Sequence, residues 1–136
     1  MAFAQEMLDA QAYFEKKGYK VTLPNGVPEY IKDKLLVSRL KKTGMTEDAK
    51  RKIARDLIRR HYKEIKKGDA ILVINKDRKG IKGYIGGNTF LEMGFAHVLN
   101  KKIFVMFKLP KAQESIYQEL LAMKPIILGG DLELAK

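Results

Sequence analysis

Residues 68–102 read GDAILVINKDRKGIKGYIGGNTFLEMGFAHVLNKK, and the rest of the chain is organised around them. Ala70 to Ile74 is an unbroken apolar run rich in Ile and Val. That composition fits a strand buried on both faces, as parallel strands under helices are. The run stops at Asn75. A loop follows that carries Lys76, Arg78, Lys79 and Lys82 together with Gly80, Gly83, Gly86 and Gly87. Thr89 to Leu99 then predicts a helix, because Phe90, Met93 and Ala96 or His97 recur at helical spacing. Ile103 to Phe107 supplies a second apolar strand. This strand–loop–helix–strand order puts the loop beyond the carboxyl end of the first strand, where open parallel sheets bind ligands.

Working outward, residues 2–17 predict a helix with Phe3, Met7, Ala10 and Phe14 on one face, ended by Gly18 after two lysines. Tyr19 to Leu23 alternates as a short strand and is stopped by the turn signal Pro24-Asn25-Gly26. Pro28 opens a helix whose buried stripe is Ile31, Leu35, Leu36 and Leu40. After Gly44, Thr46 followed by Glu47 and Asp48 starts another, reaching about Lys67 with Ile53, Leu57, Ile58, Tyr62 and Ile65 inward. Beyond the central unit, Ala112 to Met123 predicts a helix with Ile116, Leu120 and Met123 on one side. Ile126 to Leu128 adds an edge strand, and the tail from Gly129-Gly130-Asp131 is expected to fray or pack on a partner. Alternating helices and apolar strands make this an α/β chain with a mostly parallel sheet.

At 136 residues the chain is expected to form one domain, 1–136, with a real core. It has no cysteine, which removes disulfides and thiolate metal sites and points to a reducing cytoplasm. No apolar run is long enough to span a membrane. With two histidines, a histidine-rich metal site is not expected. Net charge is +11, which suits a phosphate-bearing partner or a solvated basic surface. Residues 28–67 hold fourteen Lys and Arg against six Asp and Glu. There Arg59-Arg60-His61 and Lys63 could track a phosphate backbone, although such a pattern is more often a solvated face. The aromatic interleaving of single-strand binders is missing, so nucleic acid ranks below a small nucleotide as partner.

Chemistry concentrates in Gly86-Gly87-Asn88-Thr89-Phe90-Leu91-Glu92-Met93-Gly94. The glycines let backbone approach a ligand closely. With Asn88 or Thr89 as N-cap, free amides at the helix start could hold hydroxyls or an anion. Glu92 would then lie in the first turn, where the helix dipole favours its ionised form. An ionised carboxylate suits a nucleophile, and cleavage of an N-glycosidic bond is one reaction that needs one. Thr89-x-x-Glu92 is also the pattern of a capping box, in which the glutamate only bonds back to the N-cap amide. His97 follows Glu92 by five positions, about 140° round the helix, so the two make no acid–base pair on one face. His61, among arginines, is expected to be solvated. The Gly80-x-x-Gly83-x-x-Gly86 spacing follows a long basic loop and does not fit a dinucleotide fingerprint.

The segments DAILVIN, GGNTFLEMGFA and NKKIFV resemble the signature of the nucleoside 2-deoxyribosyltransferase-like superfamily, over about Asp69 to Phe107. That group includes deoxynucleoside monophosphate N-glycosidases. The resemblance implies a three-layer α/β/α, flavodoxin- or Rossmann-like fold and an N-glycosidase or deoxyribosyltransferase activity with no cofactor. It makes Glu92 the nucleophile that attacks the anomeric carbon. Asn75, Asp77 and Gly86 to Thr89 map to positions that hold base and sugar. Members of the superfamily often complete their sites with a neighbouring subunit, which implies a homo-oligomer.

Two departures stand out. Asn75 and Gly86 replace aspartates of the family pattern, so protonation of the base would fall to Asp77 or Tyr84. The usual first strand is also missing, and Met1 to Glu6 looks like the end of the loop that follows it. The expectation is a true N-terminus upstream, or a truncated gene product. Two other functional classes compete with the enzyme: a non-catalytic nucleotide-binding or sensor domain of the same fold, and a basic nucleic-acid-binding protein.

Overall fold

The computed structural model of the chain describes residues 4–23 and 46–135. It divides into two compact units, Met1–His61 and Tyr62–Lys136. In the first, α1 spans Ala4–Lys16 and buries Ala4 and Ala10. It ends in a Schellman motif: Tyr19 N–H donates to the Phe14 carbonyl at 3.1 Å and Gly18 N–H to that of Glu15 at 3.0 Å, with Gly18 at φ +90°. The Phe14 and Tyr19 rings meet edge to face across this turn. Residues 19–23 are not the strand that their alternation predicts. Instead Gln11 Nε2 donates to the Val21 carbonyl at 3.2 Å, so a helix side chain takes a bond that a partner strand would have made. The turn at Pro24 and the helix expected from Pro28 lie outside the described residues.

Helix α2, Glu47–Lys67, starts as expected, with Thr46 Oγ1 accepting from Ala49 N–H at 3.1 Å. Glu47 and Asp48 sit at its positive end and Lys66 and Lys67 at its negative end. Its expected inward stripe is only half sealed. Leu57, Tyr62 and Ile65 are half-buried, whereas Ile53 and Ile58 are 46% and 38% exposed. His61, expected in solvent, is half-buried.

The second unit is built on a three-stranded parallel sheet in the order β1 (Ala70–Val73), β2 (Lys102–Val105), β3 (Ile126–Ile127). Helix α3 (Gly87–Val98) joins β1 to β2, and α4 (Glu114–Ala122) joins β2 to β3. Ala70 pairs with Lys102 and Val73 with Val105; Phe104 pairs with Ile126. Side chains alternate across the sheet, as strand geometry requires. Ile71, Val73, Ile103 and Val105 face a core filled by Met93 and Ala96 of α3, Leu120 of α4, and Ile65 at the end of α2. Tyr62 of α2 adds an edge-to-face contact with Phe95 of α3. Leu72 and Phe104 face the other way.

That second face corrects the expectation for the tail. Leu128 is buried against Phe104 and Met106, and Leu132 and Ala135 pack on the same cluster. Leu128 N–H continues the sheet by bonding to the Val105 carbonyl at 2.8 Å, and Gly130 N–H bonds to that of Met106 at 2.9 Å. A 3₁₀ turn, Leu132–Leu134, follows, capped by Asp131 accepting from Glu133 N–H. The tail is ordered because it covers apolar surface that α3 and α4, on the opposite face, leave open. The described residues thus form a mixed α/β structure with four α-helices and this parallel sheet. None of these helices is long and apolar enough to cross a membrane.

Candidate functional site

The loop between β1 and α3 is a small folded unit. Its first anchor is Asn75, which is fully buried. Asn75 Oδ1 accepts from Phe107 N–H at 2.9 Å. Its Nδ2 donates to the carbonyls of Phe107 and Lys108, both at 3.1 Å, and of Gly83 at 3.3 Å. The backbone N–H of Phe107 needs an acceptor, and this sets which way the amide points. One side chain therefore ties the end of β1 to the end of β2 and to the middle of its own loop. Expected to touch a substrate, Asn75 spends its polar atoms on the protein.

The next residues fold into a tight hairpin. Arg78 and Ile81 exchange backbone bonds of 3.1 and 2.9 Å across Lys79 and Gly80, at φ +54° and +72°. Two successive positive φ values are the signature of a type I′ turn, whose twist suits a two-residue hairpin. Asp77 Oδ1 then accepts from Gly83 N–H at 3.0 Å. Gly83 has φ +69°, and a Cβ there would stand 2.3 Å from the Lys108 carbonyl oxygen. Only glycine fits. The hairpin carries Lys76, Arg78, Lys79 and Lys82, all exposed. Lys79 Nζ and the Arg78 guanidinium lie 5.5 and 6.0 Å from the half-buried Tyr84 ring, a distance at which the ring's negative face attracts them. Tyr84 thus helps to place the cations.

A second amide anchors the far end. Gln113 Oε1 accepts from Ile85 N–H, and Gln113 Nε2 donates to the Ile85 carbonyl, both at 2.8 Å. This delivers the chain to α3 early, and Gly86, not Asn88 or Thr89, is the N-cap. The first intrahelical bond runs from Phe90 N–H to the Gly86 carbonyl at 2.9 Å. Two expectations fall with that boundary. Thr89 is not the N-cap that a capping box with Glu92 requires. Glu92 stands in the second turn rather than the first, where the dipole's influence has faded.

Gly86 has no side chain to offer, so α3 starts without a side-chain cap, with Gly87 and Asn88 exposed and Thr89 half-buried. Glu92 is half-buried and lies on the same side of the helix as Asn88 and Thr89, at i, i+4 and i, i+3 spacing. Asp77, Tyr84, Gly86, Gly87, Asn88 and Thr89 thus follow one another along the segment from β1 into the first turn of α3, whereas Asn75 is turned inward. His97 is exposed. Among the described residues no three His, Cys, Asp or Glu gather as a metal site would require.

Sequence reasoning missed Gln113 and the carbonyls of Phe107 and Lys108, which hold the loop from other elements. A glutamine ahead of a helix has no local signature for such a role. The chain matches no protein-family model, no curated protein and no solved structure.

Proposed function

We propose that this chain binds a nucleoside or nucleotide beyond the carboxyl ends of β1 and β2 and breaks or exchanges its N-glycosidic bond, with Glu92 as nucleophile. The observation that carries the reading is the stiff, cation-bearing hairpin that leads straight into a helix N-terminus capped only by glycine. First-turn amides and lysine or arginine side chains together favour phosphate or sugar oxygens. The resemblance of residues 86–94 to the deoxyribosyltransferase-like pattern supplies the reaction.

In that reaction the Glu92 carboxylate attacks the anomeric carbon as the carbon–nitrogen bond breaks and its electron pair leaves with the base. Asp77 or Tyr84 delivers the proton the departing base takes up. Water, or a second base, then attacks the anomeric carbon of the glycosyl ester, gives up its proton to the deprotonated Asp77 or Tyr84, and releases the Glu92 carboxylate. The same reading includes the three-layer flavodoxin-like arrangement, action in the cytoplasm, and a neighbouring subunit that completes the site.

A second reading, binding without turnover, is favoured by the position of Glu92 beyond the first turn. One experiment separates the two. The protein is incubated with deoxynucleosides and their monophosphates, and free base is followed by chromatography alongside calorimetric titration. Release of base by the native chain and not by Glu92→Ala supports the enzyme. Saturable binding with no base released supports the binding module, and absence of both sinks the site.

A further inference from the structure

A row of cations on α2 carries an inference that is independent of the loop beyond β1. Lys52, Arg55, Arg59, Lys63 and Lys66 recur at intervals of three and four along this continuous helix, and all are exposed. At 100° per residue they fall within an arc of about 80° and extend over about 21 Å. Three other cations of the helix, Lys50, Arg51 and Lys67, make ion pairs with Glu47, Asp48 and Glu64. Among the described residues, none of the five in the row has such a partner. Asp48 closes the amino end of the row and is engaged by Arg51. Asp56, on its flank, makes no ion pair with any of the five.

Holding five like charges in line is unfavourable on a free helix, where such pairs at i, i+4 repel. The arrangement suits a partner whose own charges repeat along a line. The face contains no apolar side chain, which a helix lying in a membrane surface needs on its buried side. Tyr62, on its other flank, is half-buried with its ring against Phe95, so the face itself offers no aromatic ring on which unpaired bases could stack. We propose that this face of α2 binds the phosphate backbone of double-stranded nucleic acid without regard to sequence, the row spanning about six base pairs of duplex.

The test uses the full chain and a fluorescein-labelled DNA duplex, with affinity measured by fluorescence anisotropy from about 50 to about 200 mM salt. The double variant Arg55→Gln/Arg59→Gln should flatten the slope of log affinity against log salt by about 1.8, roughly 0.9 per phosphate contact removed. That is about tenfold less loss of affinity across the salt range. Arg55→Lys/Arg59→Lys keeps the charges and should restore the native slope, which separates charge from folding. An unchanged slope in the glutamine variant overturns the proposal, as does failure of the native chain to bind duplex. Binding to phosphatidylglycerol vesicles but not to duplex, lost in the same variant, overturns it in favour of a membrane surface.

Discussion

Asn75 and Phe107 bond to each other twice, the Phe107 N–H donating to Oδ1 at 2.9 Å and Nδ2 donating to the Phe107 carbonyl at 3.1 Å. The β1–β2 ladder reaches Val73 and Val105, and Met106 N–H still bonds to the Val73 carbonyl at 2.9 Å. Past that point the backbones part, and a side-chain amide stands in for the next rung. The loop that carries the cations leaves the sheet from this joint.

Replacing Asn75 therefore tests the joint directly. Asn75→Ala leaves the Phe107 N–H and three carbonyls without their partner and should cost about 3 kcal/mol or more in urea unfolding. Asn75→Asp keeps the shape but sets a carboxylate against those carbonyls, and should be at least as harmful near neutral pH. Burial raises the pKa of the new carboxyl, and its protonation restores a donor. The folded state then holds more protons than the unfolded one, so the Asp deficit should shrink on acidification. A neutral Asn75→Asp would show that the amide's donors are not needed.

Gly83 and Gly80 both have positive φ, yet their surroundings differ. A Cβ at Gly80 meets nothing within 4 Å, whereas at Gly83 it meets the Lys108 carbonyl at 2.3 Å. Gly80→Ala should cost about 1 kcal/mol, the price of a left-handed conformation. Gly83→Ala should cost about 3 kcal/mol, because backbone must also move. Equal losses in thermal unfolding would contradict the close approach.

Gln113 offers a separate handle on the start of α3. Gln113→Ala strips both polar groups of Ile85 of their partners and should cost about 2 kcal/mol. Amide exchange at Ile85 should accelerate far more than at Val105 in the sheet. Comparable acceleration at both would mean general destabilisation rather than release of the helix start.

The tail makes a further pair. Leu128→Ala should cost about 2–5 kcal/mol, since Leu128 is buried between Phe104 and Met106. Leu134→Ala, at a side chain 56% exposed, should stay within about 0.5 kcal/mol of the native chain in chemical denaturation. A small loss at Leu128 would mean that the second face of the sheet is not sealed by this segment.

Much of this architecture is determined locally. The apolar runs at Ala70 and Ile103, the helical spacing of Phe90, Met93 and Ala96, and the cap at Thr46 each act within a few residues, so the sequence alone settles them. Tyr19 to Leu23 shows the limit, because period-two alternation marks a strand only where a neighbour supplies the ladder. The boundary of α3 shows it more sharply: Asn88, Thr89 and Glu92 form a good local capping pattern, but Gln113 reaches Ile85 from 28 residues away and starts the helix at Gly87. The inward turn of Asn75 likewise depends on carbonyls 32 and 33 residues distant. A buried amide goes where its hydrogen bonds are met, and only the folded chain decides where that is.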